Sequence, residues 1–407
     1  MLKHLPFFAA LAEVEDGSAQ ARVLKASLLT LRLLDHVALV GDSIVGPDSL
    51  SGGATRMAIS EIDETDPLRP LLTGALNALC IGGARDTGPV LLRLFAVGQL
   101  FEGRQQYAMA ADVFEAIIDG SIEESAADLT LDCWMRLAYC RRMLGELDGA
   151  EKACGKARAI AKHLKAAARV LHADVALANV VATRGNLPRA DSILAGVIDA
   201  CGKTKGATQV QASALQDRAN VANWRDDYPR ALEYAFGALQ CSVSERQREE
   251  LTSNISTYLY RMGRYEAARY PLMMLEARAS STVVLVATRV NLLAVAGRER
   301  DREAFDRYRS LLAAMDVVPD HMPNLLIETA RGLATFGEKD EARQYLARAI
   351  ALADQAKQNR AVFEAEELLT QLGRVETQQP SDRRPAPSRS VVRIEEQLRE
   401  MALAALA

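Results

Sequence analysis

The stretch Gly145-Glu146-Leu147-Asp148-Gly149-Ala150 is the clearest copy of a six-residue sequence motif that recurs along this 407-residue chain. Each copy has a glycine or polar turn, a charged or amide residue, a bulky residue, two variable residues and then an alanine. The copies end at Ala110, Ala150, Ala190, Ala231, Ala268, Ala304 and Ala342. Successive alanines are 40, 40, 41, 37, 36 and 38 residues apart, so the chain contains seven repeats of nearly constant period.

Each copy of the motif predicts the turn of a helical hairpin. Glycine permits the left-handed turn that ends one helix, and Asn186 or Asp227 can cap the next helix. Pro188 and Pro229 fall in the first turn of that second helix, where the missing N–H breaks no hydrogen bond. The alanine lets two antiparallel helices approach closely. A hairpin of this kind cannot bury its apolar face alone, so it must stack on its neighbours.

Composition and proline placement favour helix throughout the chain. Apolar residues make up 49 % and aromatic residues only 5 %, and the dominant Ala, Leu and Arg are the best helix formers. No proline lies between Pro89 and Pro188, a window in which apolar residues recur every three or four positions. No stretch shows the alternation of β-branched residues that is typical of a strand. The sequence therefore predicts an all-α fold.

Charge and cysteine content narrow the class of protein. Lys and Arg number 49 against 53 Asp and Glu, a net charge of −4, so the chain lacks the positive field of a dedicated nucleic-acid binder. The six cysteines contain no C-x-x-C pair and do not indicate a disulfide framework or a zinc site. No apolar stretch is long enough to cross a bilayer. We expect a cytoplasmic protein that binds neither nucleic acid nor membrane.

The repeats resemble the tetratricopeptide repeat (TPR) family, whose pattern is W-x2-L-G-x2-Y followed by alanine and an aromatic residue. In the second unit, the matching residues are Trp134, Leu137, Ala138 and Ala150. In the first unit, they are Leu94, Val97, Gly98, Phe101, Tyr107, Ala110 and Phe114. The period of 36 to 41 residues exceeds the usual one of about 34 and resembles the long-period type of bacterial signalling and regulatory proteins, with HEAT-like repeats as the alternative.

The resemblance implies a right-handed superhelical solenoid of stacked antiparallel hairpins, with about seven clear units and degenerate ends. We predict an N-terminal helical cap or degenerate repeats in residues 1–89, a TPR-like solenoid in residues 90–373 and a disordered linker in residues 374–391. Residues 392–407 form an amphipathic helix with Ile394, Leu398, Met401 and Ala405 on one face. Whether this helix docks on its own chain, associates with a second molecule or stays undocked is left open.

No residues with a catalytic or cofactor-binding pattern are found. The five histidines are scattered, without metal-ligand spacing to each other or to a cysteine. Gly82-Gly83 lacks the sequence of a phosphate-binding loop, and neither Ser43 nor Ser51 lies in a nucleophile elbow. Cys133 and Cys140 share a helix face but suit a core better than a site. We expect a protein that is not an enzyme and that holds no cofactor or metal.

A binding surface is the remaining source of function. In TPR proteins the first helix of each unit lines a concave groove, and the resemblance assigns to it Tyr139, Arg142, Asn179, Asn220, Asn223, Trp224, Asn254, Tyr260 and Arg261. The amides could bond the backbone of an extended peptide, the arginines could bind its carboxylates, and Trp224 and Tyr260 could form an apolar anchor. The alternative interpretation is an ordinary polar surface.

Two hypotheses for function follow. The first is a non-enzymatic scaffold or adaptor that binds a protein or peptide segment in the concave groove. The second is a ligand- or peptide-sensing regulatory solenoid that acts on a separate transcriptional or signalling effector, since no DNA-reading helix-turn-helix precedes the repeats.

Overall fold

The computed structural model describes residues 3–40, 49–82, 87–121, 126–279, 281–315, 317–356, 358–373 and 387–406. Of these described residues, 84 % are helical and none lies in a strand. The prediction of an all-α fold built from helical hairpins is confirmed. The chain divides into two compact units, Met1–Val210 and Gln211–Ala407.

The first unit contains ten helices in its described residues, and from α4 onwards each helix packs on the next. They are α1 (Leu5–Glu13), α2 (Ala19–Val40), α3 (Leu50–Ser60), α4 (Leu68–Gly82), α5 (Gly88–Gly103), α6 (Tyr107–Gly120), α7 (Ala127–Met143), α8 (Leu147–His163), α9 (Ala167–Thr183) and α10 (Leu187–Cys201). Phe7 of α1 meets Phe101 of α5 edge to face, with ring centroids 5.5 Å apart. Both side chains are fully buried, so the first helix belongs to the core of this unit.

The second unit is also built from helical hairpins. Its helices are α11 (Thr208–Trp224, divided from the first unit after Val210), α12 (Tyr228–Cys241), α13 (Glu245–Arg261), α14 (Tyr265–Arg278), α15 (Thr282–Glu299), α16 (Arg302–Ala313), α17 (Met322–Thr335), α18 (Lys339–Gln355), α19 (Asn359–Gly373) and α20 (Arg389–Leu406). Helices α12 to α16 pack in chain order, α15 also packs on α17, and α17, α18 and α19 follow.

In each of the seven repeats, the turn between the two helices of the hairpin has a residue in the left-handed backbone conformation. These residues are Gln105, Gly145, Gly185, Asp226, Gly263, Arg300 and Gly337, spaced 40, 40, 41, 37, 37 and 37 residues apart. The expected caps are also present, because Asn186 Oδ1 accepts a hydrogen bond from the Arg189 N–H (3.2 Å) and Asp227 Oδ1 from the Arg230 N–H (3.4 Å). The left-handed turns and the two helix caps predicted from the repeated motif are therefore confirmed.

One repeat differs from the others at its core position. Five residues after the turn residue, six units carry a fully buried alanine. In the unit that turns at Arg300 the same position is held by Phe305, fully buried, and Ala304 is only partly buried. The prediction that Ala304 fills this position is thus wrong by one residue. The larger ring fits because Gly332 of α17 has no side chain, and a Cβ there would collide with the Phe305 ring.

The C-terminal helix α20 packs on α12 and α14 of the same unit. It begins at Arg389, three residues before the predicted start, because Ser388 Oγ accepts a hydrogen bond from the Val391 N–H at 3.3 Å and caps the helix. The predicted linker lies outside the described residues over positions 374–386.

The contact made by α20 is both apolar and ionic. The side chains that it buries are Val391, Ile394, Leu398 and Ala402. Arg264, at the start of α14, donates two hydrogen bonds to Glu395, from Nε to Oε1 at 2.6 Å and from Nη2 to Oε2 at 2.7 Å. Such a bidentate pair fixes orientation as well as position. The docking that the sequence leaves open takes place within the chain.

Candidate functional site

Five of the nine candidate residues occupy two recurring positions of the first helix in the hairpins. Counted back from the left-handed turn residue, the sixth position holds Tyr139 in α7, Asn179 in α9, Asn220 in α11 and Arg331 in α17. The second position back holds Trp224 in α11, Arg261 in α13 and Arg298 in α15. Because the turn residue sets the register of the helix before it, these side chains emerge on the same face of their respective helices.

In the first unit, two of the predicted residues lie together. Tyr139 is 37 % exposed and meets Tyr107 edge to face, with ring centroids 5.9 Å apart. The guanidinium carbon of Arg142 lies 5.3 Å from the centroid of the Tyr139 ring, within the range of a cation–π contact. The end of α7 thus presents an aromatic face with a positive charge beside it. Asn179 stands on α9 of this unit, half-buried.

In the second unit, six predicted residues lie on α11 and α13, and four of them keep part of their surface exposed without belonging to the ion-pair network described below. Asn220 and Asn223 of α11 are half-buried, and so is Asn254 of α13. Trp224, the last residue of α11, is 50 % exposed. An exposed indole at the end of a helix is the side chain best suited here to anchor a ligand, since Trp gains most from burial in a binding interface.

Tyr260 does not have the exposed position that the sequence suggests. It is 8 % exposed, its hydroxyl donates to Glu328 Oε2 at 2.8 Å, and Arg298 Nε donates to the same hydroxyl at 3.1 Å. Burial is the main cause that raises the pKa of the Tyr260 phenol, and the nearby Glu328 carboxylate raises it further. Tyr260 is therefore a neutral hydrogen-bonding group inside the unit rather than an apolar anchor for a ligand.

Arg261 takes part in an ion-pair network that joins three first helices with α19. It donates from Nη1 to Glu364 Oε1 at 2.9 Å and from Nη2 to Oε2 at 3.3 Å. Arg331 Nη2 also donates to Glu364 Oε1, at 2.6 Å, and its Nε lies 3.3 Å from Glu328 Oε2. The network therefore links four helices. Arg298 of α15 contacts Tyr260 of α13, and Tyr260 contacts Glu328 of α17. Arg331 of α17 and Arg261 of α13 both contact Glu364 of α19.

The electrostatic environment of Glu364 is dominated by arginine. Burial alone would raise the pKa of its carboxyl, but Arg261, Arg331 and Arg360 outweigh that effect and hold the pKa below its usual value. Arg360, one helical turn before Glu364, also donates to Asp226 Oδ1 at 3.3 Å. Glu364 is thus a carboxylate held in its charged form by guanidinium groups from three helices.

Sequence reasoning missed Arg298, Glu328, Arg331, Arg360 and Glu364. A signal for two of them was present, because Arg331 has the same register as Asn179, and Arg298 the same register as Arg261, once the copies are aligned on the turn residue. Glu364 had no such signal. It lies on α19, which follows the last copy of the repeated motif.

Groups that could perform chemistry are not assembled in the part of the chain that the structure describes. Cys133, Cys140, Cys154, Cys201 and Cys241 form no disulfide. Burial raises the pKa of the Cys140 and Cys154 thiols to about 12, so neither is a thiolate at neutral pH. The described residues contain no group of three or more His, Cys, Asp or Glu side chains that could hold a metal ion. Among those same residues, no helix is long and apolar enough to cross a membrane.

Three solved structures share this fold over most of the chain. The Rap conjugation gene regulator of the plasmid pLS20, in complex with the Phr* peptide, is 15 % identical, with 86 % of this chain and 98 % of that chain covered and a TM-score of 0.51. Aspartyl phosphate phosphatase F from Bacillus subtilis is 14 % identical, with 83 % and 94 % covered and a TM-score of 0.52. The apo form of the quorum sensor NprR from B. thuringiensis is 13 % identical, with 79 % and 97 % covered and a TM-score of 0.50.

No family model and no curated protein matches the sequence. At the identities of the solved structures, the likeness shows the fold. The helical-hairpin fold implied by the resemblance to TPR proteins is the fold of this chain, and bacterial regulators share it.

Proposed function

We propose that this chain is a non-enzymatic scaffold that binds a peptide segment on the first-helix faces of its hairpins. The observation that carries the proposal is that polar and aromatic side chains recur at the same register of these helices and keep part of their surface exposed, as Tyr139 (37 %) and Trp224 (50 %) do. Side chains that serve only the core would be buried at these positions.

The chemistry of these residues suits an extended peptide. Asn179 and Asn220 each offer an amide that can donate and accept, as a peptide backbone requires of its partner. Tyr139 and Trp224 offer rigid aromatic surface, which binds an apolar side chain at small entropic cost. Such groups bind a ligand but supply no nucleophile or proton-transfer group, so we propose binding without catalysis.

Likeness of fold supports the proposal. The pLS20 regulator, which has this fold over 86 % of the present chain, was solved in complex with the Phr* peptide. We assign the binding surface to the solenoid of residues 90–373, with residues 1–89 as a cap and residues 374–391 as a linker to the C-terminal helix. The buried cysteines Cys133, Cys140, Cys154 and Cys201 form no disulfide, which fits the reducing cytoplasm, where we place the protein.

A regulatory role is the second candidate. Two of the solved structures with this fold are a gene regulator and a quorum sensor by name. In that role, the peptide would be a signal, and the chain would act on a separate transcriptional or signalling effector. Both candidates require peptide binding, so one experiment tests their common basis.

Selection from a random seven-residue peptide library displayed on phage tests the proposal. The chain should select a consensus, and the double variant Asn220→Ala with Trp224→Ala should bind the selected peptide about tenfold more weakly, because losing an anchor costs about 1–3 kcal/mol. The matched control is Val243→Ala, a second exposed apolar side chain of the same unit outside the first helices. Selection without any consensus would show that peptide binding is not the function.

A further inference from the structure

Glu364 is bound in the way that a carboxylate ligand would be. Arg261 donates one hydrogen bond to each carboxylate oxygen of Glu364, at 2.9 and 3.3 Å, and Arg331 donates a third at 2.6 Å. A guanidinium fork matches a carboxylate in geometry and charge, and this match does not depend on whether the carboxylate belongs to the same chain.

The surroundings carry more positive than negative charge. Four arginines, which we call the arginine cluster, belong to the network: Arg261, Arg298, Arg331 and Arg360. They contact three carboxylates, Glu328, Glu364 and Asp226. Four positive charges against three negative charges leave the cluster positive with Glu364 in place, and more so if Glu364 leaves it.

The cluster is reachable from solvent. Arg298 and Arg360 are exposed, and the side chains of Arg261 and Glu364 keep 29 % and 21 % of their surface. Asp226, which Arg360 contacts, lies two residues after the exposed Trp224. The arginine cluster thus has exposed members beside residues of the proposed binding surface.

We infer that the arginine cluster is a site for a side-chain carboxylate of an acidic peptide, which replaces Glu364 on Arg261 and Arg331. The inference rests on the proposed function and names the class of its ligand. Glu364 is then an internal competitor that keeps the guanidinium groups paired while no ligand is bound. Because Glu364 belongs to α19 and Arg261 to α13, replacing it also removes the ion pair that ties these two helices.

The replacement is energetically reasonable because it conserves charge pairing. A ligand carboxylate would form the hydrogen bonds that Glu364 gives up, and the released Glu364, already 21 % exposed, would be solvated by water. Breaking the pair without a substitute would leave buried arginine charge uncompensated, which is strongly unfavourable. A neutral peptide therefore cannot displace Glu364, and this difference is the source of selectivity.

The phage selection described above tests the inference through the composition of the selected peptides. The wild-type chain should enrich Asp and Glu to about twice their frequency in the unselected library, since a bidentate ion pair is worth about a tenfold gain in affinity. Arg261→Gln should abolish this enrichment. Arg246→Gln, which removes an exposed arginine of α13 that pairs with Glu250 one helical turn later, is the matched control and should retain the enrichment.

The second measurement is the affinity of the most enriched peptide for Glu364→Gln. Removing the internal competitor should tighten binding about threefold to tenfold, and circular dichroism should confirm that the variant keeps the helix content of the wild type. A consensus without acidic residues, or an unchanged affinity in Glu364→Gln, would overturn the inference while leaving peptide binding intact. Absence of any consensus would overturn the proposed function as well.

Discussion

His4 joins three helices through one imidazole ring. It precedes α1 and is 5 % exposed. Its Nδ1 lies 2.7 Å from Asp112 Oδ2 of α6, and its Nε2 lies 3.1 Å from Asp35 Oδ2 of α2. Both ring nitrogens can donate at once only when the ring is protonated. Burial would lower the pKa of His4, but the two carboxylates outweigh burial and raise it.

This raised pKa makes the first unit less stable as pH rises. The stabilisation is fully present below the unfolded-state pKa of about 6.5 and is lost as pH rises through the higher folded-state pKa of His4. We expect His4→Gln to lower the unfolding free energy by about 1–3 kcal/mol at pH 6 and by less at pH 8. Thermal unfolding of both proteins across this pH range is the measurement.

The control for this prediction is His36→Gln, because His36 is adjacent to Asp35 but exposed. It should leave the pH dependence of the wild type unchanged. If His4→Gln lost equal stability at every pH, the charged form of His4 would not be the cause.

At the scale of the helix, the close approach of α15 and α17 depends on volume exchanged between residues. Phe305 fills the position that alanine fills in the other repeats, and Gly332 of α17 gives up its side chain in return. Gly297 of α15 faces the same contact, and a Cβ there would lie 2.9 Å from the Gly332 Cα. The large ring of Phe305 is thus accommodated by the missing side chains of Gly297 and Gly332.

Gly332→Ala should therefore destabilise the second unit by about 1–3 kcal/mol, because the added methyl group overpacks a full core. The same substitution in a Phe305→Ala background should be neutral or stabilising, because it then fills part of a cavity. Melting temperatures of the two single variants and the double variant measure this coupling. Additive losses in the double variant would contradict the exchange of volume.

How much of the fold could be predicted follows from how local each feature is. Four hairpin turns were predictable because Gly145, Gly185, Gly263 and Gly337 are glycines, which indicate a left-handed backbone conformation. Arg300 adopts the same conformation, but an arginine in the sequence does not indicate it. A residue with a side chain can adopt this conformation at a cost of about 1–2 kcal/mol. The copy at Arg300 was accordingly placed one residue out of register.

The candidate site was less accessible to prediction than the fold. Register along a helix is a local property, so the sequence could indicate which faces carry Tyr139, Asn179 and Trp224, and their role in binding stays a prediction. The partners of Tyr260 and Arg261 are Glu328 and Glu364, which lie 68 and 103 residues away. Such pairs depend on how several hairpins stack, and a single sequence does not contain that information in readable form.

For the molecule as a whole, α20 is a late addition to the second unit. Leu398, at the centre of its buried face, is 1 % exposed, whereas Leu403 on the same helix is 54 % exposed. A charge at Leu398 would have to be buried without a partner or would force the helix off its seat on α12 and α14. The second outcome costs less.

We expect Leu398→Asp to undock α20 and lower the stability of the second unit by about 2–4 kcal/mol, since its buried apolar side chains return to water. Leu403→Asp, the matched control, should change stability by less than about 0.5 kcal/mol. Trypsin cleavage after Arg393 and Arg399 reports undocking directly, because an undocked helix of this length is only marginally folded. Equal cleavage rates in the two variants would show that α20 does not hold its seat through Leu398.

The position of α20 also has a consequence for synthesis on the ribosome. Helices α12 and α14 leave the ribosome before their cover does, because α14 ends at Arg278 and α20 begins at Arg389. At about 5–20 residues per second, the apolar seat stays open for roughly 6 to 22 s on every nascent chain. During that interval, nascent chains on one polysome expose matching surfaces to each other. We therefore expect chaperone supply and elongation rate to affect the yield of correctly folded molecules.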